Sequence, residues 1–175
     1  MPWHTQAATL LFRLTGNSSL RDYVFEINDW LLPHQQWGGS LDSDYWGRFY
    51  SPDKPYGKPH ASATGVYLEG LVDALVLARE IGDEIRAESY DRAMQRGIRS
   101  MAQLQFHDGI DAYYVRRKER VIGAVRTESA DNEIRIDNLQ HGLMALLKYR
   151  DICQETNHNI VRSKTTPSSL LVNSV

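Results

Sequence analysis

Apolar residues recur at three- and four-residue steps along four stretches of this chain and, with less room, along a fifth. The clearest stretch runs from His60 to Gly82, HASATGVYLEGLVDALVLAREIG, where Leu68, Leu71, Val72, Leu75, Val76 and Ala78 fall on one broad face, as a core-facing helix requires. Gly82 supplies a left-handed stop, and Asp83 after it offers a carboxylate cap to the next helix. Between Asp83 and Phe106, Ile85, Tyr90, Met94, Ile98, Met101 and Leu104 make a second buried stripe opposite Arg86, Glu88, Arg92, Gln95 and Arg99. The same device stands earlier. A helix over His4–Thr15 carries Ala7, Ala8, Leu10, Leu11, Phe12 and Leu14, stops at Gly16 and is capped anew at Asn17 or Ser18. Its partner, Ser19 to His34, is expected to bury Tyr23, Val24, Ile27, Trp30 and Leu31 and to end at Pro33.

Long loops follow each pair of helices, SLDSDYWGRFYSPDKPYGKPH after the first and a second through Arg126, and the first is too dense in proline and glycine for regular structure. The order of landmarks repeats. Gly16 is followed by Tyr23, Gln36, Gly39 and Gly47-Arg48-Phe49, and Gly82 by Tyr90, Gln105, Gly109 and Gly123-Ala124-Val125-Arg126, a period of about 66 residues. A third unit, from Arg135 to Tyr149, has room for one helix. The fold class expected is all-α, built of antiparallel helical hairpins with long loops at one end. Residues 1–155 form that domain, and residues 156–175, rich in Asn, Ser, Thr and Lys, read as a disordered tail.

At 175 residues and 42% hydrophobic content the chain has one domain's length and enough apolar side chains for a core. Twenty basic residues against 22 acidic ones leave a net charge of −2, which gives no electrostatic basis for binding nucleic acid or an anionic membrane. No window approaches the roughly 18 apolar residues of a membrane span, and MPWHTQAATLLFRLTG lacks the basic region and cleavage site of a signal peptide, so a cytoplasmic protein is expected. The single cysteine, Cys153, excludes an internal disulfide. No HExxH run or other zinc spacing, no GKS and no GxGxxG is present, so neither metal nor nucleotide cofactor is expected.

Helical pairs joined by short glycine turns at one end and by long loops at the other resemble the α/α toroid of six-hairpin glycosidases and related sugar-processing enzymes, over roughly residues 4–150. The ending "Gln, one to three residues, Gly" is similar to the repeat endings of squalene-type cyclases and prenyltransferases. The DxDD acid motif of the hopene-forming cyclases is absent, however, and Asp42-Ser43-Asp44 lacks the adjacent aspartates. The resemblance implies a ring of twelve helices, of which this chain supplies about five. Apolar faces near Leu10–Leu14 and Leu143–Leu147 are then left without neighbours, and the expectation is a missing N-terminal region or a homo-oligomer.

In such toroids the starts of the inner helices and the loops before them line a shared cleft. The resemblance therefore points to a carbohydrate or other polyhydroxylated ligand, hydrolysed or epimerised. The candidates at those starts are Glu69 and Asp137 as a carboxylate pair, or His60 and His141 as a proton-shuttling pair. Burial among Tyr67, Leu68 and Leu71 would suit Glu69 to act as an acid, whereas Glu69 paired with an arginine, Asp137 as a helix cap and both histidines as structural residues are the plainer accounts. Substrate contacts fall to Trp37, Trp46 and Tyr67 as aromatic faces, to Asn138 and Gln140 as amides, and to Arg48, Arg126 and Arg135 as forked donors. Surface pairing of Arg126 and Arg135 with Glu128 or Glu133 is the alternative for two of these. A second reading of the whole chain is a non-catalytic helical repeat module that holds a protein partner through its open apolar edges.

Overall fold

The structure, a computed structural model, describes residues 2–39, 42–50, 61–107 and 109–165, with only the helical backbone given for 155–165. Five α-helices carry it: α1 (Pro2–Thr15), α2 (Ser18–Leu31), α3 (Ala61–Glu80), α4 (Glu84–Gln103) and α5 (Ile136–Thr165). There is no β-strand among the described residues, only isolated bridges such as Gln35 with Phe49 and Gln105 with Val125. The helix boundaries follow the expected punctuation. Gly16 and Gly82 both stand in the left-handed region, Asn17 accepts from the Ser19 N–H at 3.0 Å, and Asp83 accepts from the Arg86 N–H at 3.1 Å. One boundary differs. α5 continues to Thr165, well past Glu155, where composition alone suggested a loose tail.

The core is centred on α3, which packs on every other α-helix. Leu68, Leu71, Val72, Leu75 and Ala78 are buried as their spacing predicts, and Ala74 and Leu77 are buried too, so α3 is enclosed nearly all round rather than on one face. Small residues set the spacing between the helices. A Cβ on Gly65 would lie 2.9 Å from the Gly142 nitrogen of α5, and one on Gly70 would lie 2.7 Å from the Pro2 Cα of α1.

Burial departs from expectation in α2 and at Ile85. In α2 the buried side chains are Val24, Phe25, Asn28 and Leu31, while Tyr23 and Trp30 are exposed. Asn28 tolerates its burial because its amide donates to Thr5 Oγ1 at 3.1 Å and to the Val24 carbonyl at 2.8 Å. Trp30 instead stacks on His34, with ring centroids 4.3 Å apart. Ile85 of α4 is 82% exposed because it stands in the first turn, ahead of the buried run Ala87, Tyr90, Ala93, Met94. In α1 the buried positions are Pro2, Thr5, Ala8 and Thr9, and the leucine-rich run Leu10, Leu11, Leu14 faces outward.

The two loops are closed by one repeated device. The Gln35 side chain donates to the Gly47 carbonyl at 3.0 Å, twelve residues on, and the Gln105 side chain to the Gly123 carbonyl at 2.8 Å, eighteen residues on. Backbone bonds match as well: Gln36 and Gly47 bond at 2.7 Å in one, Phe106 and Gly123 at 2.7 Å in the other.

α2 is tied to α4 through Asp29, which accepts from Tyr90 Oη at 2.6 Å and Arg86 Nε at 3.0 Å. Burial, reinforced by that bond, holds the Tyr90 phenol well above its ordinary range. Arg86 also reaches back to Asp83 at 2.7 Å. The Arg86 backbone N–H, followed by its guanidinium, holds the Asp83 carboxyl below its usual value. A folded pKa below the unfolded one contributes stability above the unfolded value and loses it as pH falls through the folded value. Asp83→Ala is therefore expected to cost about 0.5–2 kcal/mol at neutral pH, the range for a lost helix cap. The difference should shrink as pH falls below the ordinary carboxylate range and the carboxyl takes up its proton. Urea melts of both chains at pH 7 and pH 3 measure it.

Candidate functional site

The residues of interest sit on the face of α3 that carries Glu69, Asp73 and Glu80, spaced four and seven apart and so stacked along one side of the helix. α1 brings Gln6 and Arg13, and α5 brings His141 and Lys148, each pair again seven apart. The result is a ladder across three helices. Gln6 Nε2 donates to Glu69 Oε1 at 3.2 Å, while His141 Nδ1 meets Glu69 Oε2 at 2.8 Å. One turn down, Lys148 donates to Asp73 Oδ2 at 2.8 Å, and at the far end Arg13 forks onto Glu80 at 2.7 and 3.0 Å.

Glu69 is only 7% exposed, and both its oxygens accept hydrogen bonds. With Glu69 as acceptor, His141 Nδ1 carries the ring hydrogen and Nε2 keeps its lone pair, which is the arrangement of a base oriented by a carboxylate. Burial raises the Asp73 carboxyl above its ordinary value, the Lys148 hydrogen bond and charge oppose that, and the Glu69 charge adds to it. The His141–Glu69 and Lys148–Asp73 pairs thus join α5 to α3 one helical turn apart. Trp3 stands beside them, 64% exposed, with its indole 6.2 Å from the His141 ring.

Of the residues singled out in the sequence, Glu69 and His141 are brought together, and Gln140 lies exposed next to His141. Asp137 is not joined to them. It stands at the start of α5 in a two-pronged pair with Arg135, at 3.0 Å for each contact, and the arginine's hydrogen bonds hold its carboxyl below the usual range. The pair Arg135–Asp137 takes up two candidates at once.

Asn138 is fully buried, with Nδ2 on Thr127 Oγ1 at 2.8 Å. Arg126 stacks on Phe106, 4.3 Å from the ring centroid. Tyr67 packs edge-on against Phe49 at 5.6 Å, and Arg48 is buried between the Gln36 side chain and the Tyr45 ring. Trp37 and Trp46 lie against each other at 5.4 Å beneath Arg96 and Arg99 of α4 and so serve to hold the first loop on that helix. His60 and Tyr56 lie outside the described residues.

Sequence reasoning places Gln6 with His4 and Thr5 at a helix entry and misses Trp3, Asp73 and Lys148. A signal for Asp73 and Lys148 lies in the seven-residue spacing of Gln6/Arg13 and His141/Lys148, which matches that of Asp73 and Glu80. Among the described residues no group of three His, Cys, Asp or Glu is placed to hold a metal ion, and no helix is long and apolar enough to cross a membrane. A separate apolar hollow of about 350 Å³ lies between α4 and α5, lined by Ile98, Met101, Leu139, Leu143 and Leu146 among others. No protein-family model, no curated protein and no solved structure matches the chain.

Proposed function

We propose that this chain is a carbohydrate-active protein related to the six-hairpin glycosidases, with part of an α/α toroid as its scaffold and the ladder around Glu69 as its sugar site. The observation that carries the reading is the meeting of Gln6, Glu69 and His141, one from each of α1, α3 and α5, beside an exposed indole. Sugar recognition needs an aromatic face for the apolar side of the ring and polar groups in fixed positions for its hydroxyls, and Trp3 and the ladder supply both. In hydrolysis or epimerisation, His141 Nε2 takes a proton from water or from a sugar carbon and returns it to the leaving oxygen or to the carbon. Glu69 is then a positioning residue, and Asp137 has no part in the chemistry.

The test is a saturation-transfer NMR screen of the chain against glucose, N-acetylglucosamine, glucuronic acid and cellobiose, followed by turnover assays on the binders. Trp3→Ala is expected to abolish binding. His141→Gln should lower turnover by about 10²–10⁴-fold, the range for a lost proton-transfer group, and Glu69→Gln by less, both with melting midpoints near that of the parent. Asp137→Asn should leave both readouts unchanged. If Glu69→Gln and His141→Gln lower only stability, the ladder is an interhelix tie and the enzyme reading fails. The exposure of Leu14 and Leu143, at 73% and 55%, favours the second reading, a module that binds protein through its edges.

A further inference from the structure

The line of helices α1–α3–α5 ends in two apolar edges. α1 presents Leu10, Leu11 and Leu14, and α5 presents Ile136, Leu143 and Leu147. We infer that the two edges are made for each other in separate copies of the chain: α5 of one copy packs on α1 of a second, and α5 of the second on α1 of the first, in a closed pair. This inference stands apart from the sugar reading.

Continuity with the existing packing is the first argument. The contacts of α1 with α3 and of α3 with α5 are two successive steps of one arrangement, each with a close backbone approach (Gly70 on Pro2, Gly65 on Gly142) and each crossed by a rung of the ladder. A third step from α5 calls for a helix of the α1 kind. The free edge of α1, in turn, is what a helix of the α5 kind would cover. A surface that extends by repetition of itself forms a heterologous contact, which either closes or polymerises.

A closed pair covers both edges of both copies, whereas a filament leaves one edge of each kind open at its ends.

The chain's own apolar triplet beyond α5 does not fit the role. Leu170-Leu171-Val172 reaches at most about 17–24 Å from Thr165 at roughly 3.4 Å per residue. Leu143 lies about 33 Å back along the helix at about 1.5 Å per residue. The area does fit. The edge side chains expose on the order of 300–450 Å² on each helix, so two contacts cover roughly 1,500 Å², within the range of about 1,200–2,000 Å² for a stable interface.

Light scattering on the eluting wild-type chain should give about twice the 20.0 kDa chain mass at micromolar concentration. Leu14→Asp and Leu143→Asp, both at exposed positions, should each give a monomer with unchanged far-ultraviolet circular dichroism. Mixed in equal amounts, the two variants share one intact contact of about half the area, so they should associate more than either variant alone but more weakly than the wild type. A monomeric wild type overturns the proposal. So does an assembly that resists both substitutions, one that only one of them breaks, or a mixture that associates no more than either variant alone.

Discussion

Gly47→Ala is expected to lose about 3–5 kcal/mol, a large part of the stability of a domain this size. Two effects add. Gly47 has φ +94°, and holding a residue with a side chain there costs about 1–3 kcal/mol. A Cβ at this position would also run into the carbonyl oxygen of Arg96 and come within 2.6 Å of its carbon, and that is helical backbone of α4, which yields only if the loop leaves the helix. Overpacking of this kind adds a further 1–3 kcal/mol or so. Gly123 separates the two effects. It has φ +87° but no atom within 4 Å of its would-be Cβ, so Gly123→Ala should lose only the backbone share, about 1–3 kcal/mol. Urea denaturation of the two variants side by side gives the difference, and equal losses would mean that the first loop does not rest on α4.

Gly65→Ala should cost about 1–3 kcal/mol and disturb the ladder at the same time. Its Cβ would stand 2.9 Å from the Gly142 nitrogen and 3.3 Å from His141 Cβ, so α5 must shift away from α3 just where His141 meets Glu69. Gly142→Ala is the control. Its Cβ meets the far end of the Met101 side chain, which can swing aside, so the loss should be smaller and the histidine should keep its place. Histidine side-chain NMR follows the second effect, since the 2.8 Å bond to Glu69 fixes the tautomer of His141. A His141 signal unchanged in Gly65→Ala would show that the approach of α3 to α5 does not set the pair.

The helices were legible because their signals are local. Apolar residues at helical steps, glycine stops at Gly16 and Gly82, and caps at Asn17 and Asp83 all act within a few residues, and α1 to α4 stand where these signals put them, while α5 runs on past its expected end. Which apolar face turns inward was less legible. Leu10, Leu11 and Leu14 form the more hydrophobic side of α1, yet the helix is buried through Thr5, Ala8 and Thr9, because contact with α3 at Gly70 favours small residues. The site was legible in part for the same reason. Glu69 and His141 stood out as charged or titratable groups near the starts of α3 and α5, but their partners Gln6, Asp73 and Lys148 acquire meaning only through the alignment of three helices, which no local signal carries. Asp137 was drawn into the candidate pair by its place at a helix start, where Arg135, two residues earlier, had already claimed it.

The twin latches Gln35–Gly47 and Gln105–Gly123 separate how a loop is anchored from what it contains. One spans twelve residues and the other eighteen, and in a flexible segment such a difference in length changes the closure free energy by only a few tenths of a kcal/mol. The latches therefore tolerate different lengths between glutamine and glycine, while what lies between them decides where a loop rests, as Trp37 and Trp46 do beneath Arg96 and Arg99.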